Sequence, residues 1–166
     1  MIRIITATLL LITLATIETS LIASLPGVLA LIPLVLMAAV YFIQHRGSTI
    51  GIWWLAGYGL FLDVMGIGYG IGETVIYLIV GVLAYLVSQR TFSNRSLYGV
   101  LGCGLFAIST SAVLHLGFQF VKTTYTENDI LWIEAGTFYV WQVAILMIAL
   151  FLVFNLSSRL EKFKLI

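Results

Sequence analysis

The chain has 166 residues, 61% of them hydrophobic and 9% charged, with a mean hydropathy of +1.13. Soluble domains run near half apolar and about a quarter charged, and disordered chains need few apolar residues and much charge, so both classes are excluded. Eight Lys and Arg against seven Asp and Glu leave a net charge of +1, which supplies no basic field for nucleic acid, and a single Cys permits neither an internal disulfide nor a zinc cluster. A membrane helix takes roughly 20 apolar residues, so six fit within this length and leave only short connections. The composition predicts an all-α integral membrane protein, a single six-helix transmembrane domain over residues 1–166.

In chain order the apolar stretches are Ile4–Leu25, Pro26–Ile43, Ser48–Met65, Glu73–Ser88, Leu97–Phe120 and Ile130–Leu156. The first break falls at Leu25-Pro26-Gly27, because proline removes a backbone donor and restricts its predecessor. Pro33 is expected to kink the second span. Gln44-His45-Arg46-Gly47 separates the second and third spans, and Met65 to Gly72 is a glycine-rich turn. Gln89 to Ser96 is a polar loop, Lys122 to Asp129 the longest polar stretch, and Ser157 to Ile166 a basic tail. The opening Met1-Ile2-Arg3 and its apolar run have the outline of a signal peptide. Glu18 interrupts that run and it continues to Leu25, so a first span is expected in place of a cleaved leader.

The cations fix the orientation, since Lys and Arg collect on the cytoplasmic side. With the N-terminus inside, Arg3, Arg46, Arg90, Arg95, Arg159, Lys162 and Lys164 are cytoplasmic, and only Lys122 is outside. Both termini are therefore expected in the cytoplasm. Trp53 and Trp54 at the inner face, with Tyr125 and Trp132 at the outer, fit interfacial anchors.

Acidic residues are distributed the other way. Glu18, Asp63, Glu73, Glu127, Asp129 and Glu134 map to the outer half, and only Glu161 to the inner side. A charged group at a helix centre costs about 2.5–3.5 kcal/mol on insertion scales. Each intramembrane acid is thus expected to face other helices, carry a proton or reach the headgroups. Glu73 suits a helix N-terminal acid that complements the dipole. Asp63 suits a cap beside the glycine turn, or a buried binding role. Glu18 has apolar residues on both sides and fits bland readings least. Glu18 and Asp63 are expected to line an outward-opening polar pocket, with room for a small ligand, or to bind a partner helix.

His115 lies mid-helix after Ser109, Thr110 and Ser111, and is expected to hydrogen-bond a neighbouring helix. No second His or Cys lies near it in sequence to make a metal site, and no cofactor is expected. Cys103, between Gly102 and Gly104, reads as a small packing residue. Gly66, Gly68 and Gly70 belong to the string Gly66-Ile67-Gly68-Tyr69-Gly70-Ile71-Gly72. A dinucleotide loop would need a soluble βαβ unit. A potassium-channel filter would need a short pore helix where a full-length span stands instead. A tight turn with close backbone approach is the reading that remains. No hydrolase, protease or metal signature is present, and the chain is expected not to be an enzyme.

Tyr58-Gly59-Leu60-Phe61-Leu62-Asp63-Val64, followed by a glycine turn and an apolar helix reading Gly81-Val82-Leu83-Ala84-Tyr85-Leu86-Val87, resembles the rod shape-determining protein MreD family. Leu25-Pro26-Gly27-Val28-Leu29, with its span ending at Tyr41, is similar to that family's second helix. The likeness extends over residues 20–120, though the family's turn usually carries Ser-Gly or Pro-Leu-Gly and does not include an acid like Glu73. The resemblance implies a non-enzymatic component of the bacterial cell-elongation machinery in the cytoplasmic membrane. It also implies a partner of the MreC type and, through it, peptidoglycan synthases and the actin-like filament. The implied fold is similar to substrate-binding subunits of energy-coupling-factor vitamin transporters, which makes such a subunit the alternative function. Those subunits often carry Ala-x-x-x-Ala on the first helix; here Ala7, Ala15 and Ala23 are eight apart.

Overall fold

The computed structural model describes residues 2–67, 72–92, 96–126 and 132–163; the side chains of residues 2–4, 28, 45–46, 122–126, 132–135 and 157–163 lie outside that description. The described residues are helical and contain no strand. The helices are α1 (Ile2–Thr16), continued by a π-helical turn Ile17–Ile22, then a 3-10 turn Gly27–Leu31, α2 (Leu34–Arg46), α3 (Ile50–Met65), α4 (Glu73–Arg90), α5 (Leu97–Thr126) and α6 (Trp132–Phe163). Five of the six apolar stretches expected from the sequence each correspond to one continuous helical segment, and most ends agree within a few residues.

Four described helical stretches are long and apolar enough to cross a membrane: Ile5–Ile22, Glu73–Arg90, Leu97–Val121 and Gly136–Leu156. The outward surface carries Trp53, Val64, Val75, Tyr98, Val113, Val140 and Leu152, all strongly exposed. In water such a surface would drive aggregation, whereas lipid tails cover it at no cost. The chain is a multi-pass membrane protein.

The second stretch departs from expectation. Pro33 does not kink one continuous helix; Ile32 is extended and Pro33 non-helical, and together they divide the segment into a 3-10 turn and a 13-residue α2. Proline disfavours helical geometry at the residue before it, and Ile32 accordingly sits at φ −71° and ψ 110°. At 1.5 Å per residue α2 is about 20 Å long, less than the hydrocarbon thickness. It occupies the middle of the bundle, where Val35, Leu36, Ala39, Val40 and Ile43 are buried against α3, α4, α5 and α6. At its far end the Gln44 amide donates to the Phe92 carbonyl in the connection between α4 and α5.

α3 and α4 form the most extensive helix pair. Gly59 makes their crossing possible, because a Cβ there would stand 2.5 Å from the Glu73 carbonyl oxygen and 2.6 Å from Thr74 Cα. Gly66 ends α3 in the left-handed region at φ +64°, with its N–H and that of Ile67 returned to the carbonyls of Asp63 and Leu62. This is the conformation glycine adopts without penalty at a helix C-terminus.

Candidate functional site

The ends of α1 and α3 and the start of α4 meet at one end of the bundle and enclose a cavity of about 300 Å³. Its polar lining comes from four directions: Glu18 from the π-helical turn, Tyr58 from α3, Glu73 and Tyr77 from α4, and Ser111 and His115 from α5. Phe138, Tyr139 and Gln142 of α6 close the remaining side.

Glu18 stands where α1 widens into the π-helical turn Ile17–Ile22. Such turns interrupt the regular ladder and recur at functional positions. Its Oε2 accepts the Val35 N–H at 2.8 Å, and its Oε1 accepts the Tyr58 hydroxyl at 2.8 Å. Val35 is the second residue of α2, whose first N–H groups have no partner within their own helix. Glu18 therefore seals the start of α2 while facing the cavity.

Glu73 and His115 form a buried pair, with side-chain exposures of 3% and 8% and an Oε2–Nε2 distance of 2.8 Å. His115 Nδ1 lies 2.8 Å from the Ser111 carbonyl oxygen and 3.2 Å from its hydroxyl. A carbonyl only accepts, so Nδ1 carries a proton. The Nε2–Oε2 contact ties α5 to the start of α4 at the cavity wall. Tyr77 packs edge-on to His115 at 5.8 Å and to Tyr58 at 5.1 Å between ring centres. An aromatic bridge thus connects the two acidic positions.

Asp63 has a different task. Its Oδ1 accepts the N–H groups of Gly72 and Glu73 at 3.2 and 3.0 Å, and its Oδ2 accepts the N–H and hydroxyl of Thr74 at 3.0 and 2.5 Å. Those N–H groups open α4, so Asp63 caps one helix from the end of another. It does not line the cavity among the described residues. Of the two acids expected to line a pocket or bind a partner helix, Glu18 lines the cavity, together with Glu73 and His115, and Asp63 is not among its lining residues. Glu73 does open α4, but its carboxyl turns to His115 and away from a purely dipolar role. His115 makes the interhelical bond expected of it.

Gly66 lies in the turn below the site, while Gly68 and Gly70 fall outside the described residues. Cys103 is buried, its thiol 3.6 Å from the Ala84 carbonyl oxygen, as a packing residue between α4 and α5 would be. Among the described residues no group of three His, Cys, Asp or Glu side chains converges as a metal ion would require. Tyr58, Tyr77 and Gln142 were not singled out from the sequence. Tyr77 stands four residues after Glu73, hence on the same helical face, and Gln142 interrupts an apolar run; both are signals of inward-facing polarity. Comparison with protein-family models, curated proteins and solved structures finds no match to this chain.

Proposed function

We propose that this chain is a non-enzymatic component of the bacterial cell-elongation complex, acting by binding partners in the cytoplasmic membrane. In this reading all six apolar helices are membrane-embedded, with both termini in the cytoplasm where seven of the eight cations lie. The observation that carries it concerns the residues behind the MreD resemblance. Gly59 and Asp63 both build the α3–α4 joint, one by its missing side chain and one by its carboxylate. A stretch that resembles a family and also builds the most extensive helix pair of the bundle supports a shared architecture. The partner expected is a single-span protein of the MreC type, which links the chain to peptidoglycan synthases and the actin-like filament.

The test is purification from the native host in mild detergent, with mass spectrometry of the co-purifying proteins and small molecules. Recovery of a single-span protein with a periplasmic coiled coil, together with wall synthases, is the expected result. Recovery of ATPase subunits overturns it in favour of a second reading, a substrate-binding subunit of an energy-coupling-factor-type transporter. That second reading is favoured by the cavity, whose volume of about 300 Å³ reaches the lower end of small-molecule sites.

A further inference from the structure

The geometry points to a small organic cation, a primary ammonium on a flat apolar body, as the occupant of the cavity between Glu18 and the aromatic side chains of α3, α4 and α6. The inference rests on the cavity taking a small molecule, the premise of the second reading above, and is independent of the elongation role.

Charge is the first ground. Glu73 is engaged by a basic partner, His115 Nε2 at 2.8 Å. Glu18 has no such counterpart. Both of its oxygens accept from neutral donors, the Val35 amide and the Tyr58 hydroxyl. The helix end behind Val35 supplies only about half a positive charge. Among the described lining residues there is no Lys and no Arg. An anionic occupant would therefore find no cation beside Glu18, whereas an ammonium would supply the charged donor that this buried acid lacks. In surroundings this apolar a carboxylate is strongly favoured by a charged donor, and charge-assisted hydrogen bonds are about twice as strong as neutral ones.

Shape and wall chemistry are the second ground. Four aromatic residues line the cavity: Tyr58 of α3, Tyr77 of α4, and Phe138 and Tyr139 of α6. Aromatic faces attract cations held within about 6 Å of the ring centre, and they also cover a flat apolar body. Gln142 adds an amide that can accept from an ammonium as well as donate. The carboxylate at one point and rings around it place the charged nitrogen at Glu18 and the body between α3, α4 and α6.

The probes are three molecules sharing one phenylethyl or benzyl frame: phenethylammonium, 2-phenylethanol and phenylacetate. Binding to the full chain in lipid nanodiscs is followed by ligand-observed saturation-transfer NMR, with dissociation constants from titration. Phenethylammonium is expected to bind at least about tenfold more tightly than 2-phenylethanol, equal to about 1.4 kcal/mol, and phenylacetate not to compete. Glu18→Gln is expected to bring the ammonium and the alcohol to within about twofold of one another. Equal affinity for the cation and the alcohol in the wild-type chain, or tighter binding of phenylacetate, overturns the inference while leaving a small-molecule cavity. Absence of binding by all three overturns both. The three-probe comparison on the unaltered chain decides the matter even where Glu18→Gln fails to fold.

Discussion

Replacing Gly59 with alanine tests the close backbone approach of α3 and α4. The added Cβ would lie 2.5 Å from the Glu73 carbonyl oxygen, 2.6 Å from Thr74 Cα and 2.8 Å from the Glu73 carbonyl carbon. All three are backbone atoms, so no side chain can rotate away and the two helices must part. Overpacking of a tight core costs about 1–3 kcal/mol, and the backbone character of this clash places it at the upper end. Alanine recovers about 1 kcal/mol of helix propensity relative to glycine. The net expectation is a loss of about 2 kcal/mol. Gly57→Ala in the same helix is the matched control. There the only close atom is Leu11 Cδ2 at 2.8 Å, the end of a flexible side chain, so the propensity gain offsets the contact and stability is held or raised. Unfolding free energies from SDS titration in mixed micelles, read by helical circular dichroism, separate the two. A Gly59→Ala chain as stable as wild type would refute the α3–α4 crossing described above.

Three further outcomes follow from the same contacts. Asp63→Asn keeps one accepting oxygen but places an amide donor against the N–H groups of α4, so the first turn of α4 should lose protection in amide hydrogen exchange at Thr74 and Val75. His115→Ala leaves Glu73 buried without its partner, and breaking a buried pair from one side costs about 3–5 kcal/mol; adding Glu73→Leu to it should restore a large part of that loss in the same SDS titration, and simple addition of two losses would count against the pairing. Tyr58→Phe removes one of the two donors to Glu18 and should cost about 1.5–3 kcal/mol, the range for hydrogen bonds to charged groups, with no effect expected from Tyr98→Phe, at an exposed position, as the control.

Much of the fold was legible because lipid and helix geometry leave so few choices. Five of the six apolar runs bounded by Pro, Gly or charge each became one continuous helical segment, since a membrane-embedded backbone must satisfy its own hydrogen bonds. The failure at Pro33 has a local cause. The residues before it include Gly27 at φ +64° and Ile32 in an extended conformation, so the run was apolar without being continuously helical, and hydropathy does not register that difference. The site was legible in part. Glu18, Glu73 and His115 each stood out as polar groups in apolar surroundings, which is a property of the chain alone. Their convergence was not, because positions 18, 73 and 115 come together through helix packing that no spacing in the sequence encodes. Asp63 was ambiguous for the opposite reason. A carboxylate ten residues before Glu73 can cap α4 only if the intervening turn folds the chain back, and Gly66 in its left-handed conformation starts that return.

The joint and the cavity are mechanically one unit. Asp63 holds the N–H groups of Gly72, Glu73 and Thr74, and Gly59 lets α3 approach the backbone of the same residues. Glu73 is thereby fixed at the cavity wall, where it determines the position of His115 and, through Tyr77, the aromatic face beside Tyr58. A change at Asp63 consequently disturbs any partner surface built on α3 and α4 and also the cavity. Loss of ligand binding and loss of assembly in Asp63→Asn are then the same event seen twice, and that variant does not separate a scaffold from a binding subunit. Glu18 does separate them. It lines the cavity from the π-helical turn after α1, and it meets α3 through the Tyr58 hydroxyl. Glu18→Gln removes the charge and keeps one accepting oxygen, which suits the Val35 N–H, while its amide N–H can donate to the Tyr58 hydroxyl oxygen. Intact partner assembly with altered cation preference in that variant assigns the two properties to two parts of the molecule; loss of both together would show that the cavity itself sets the partner surface.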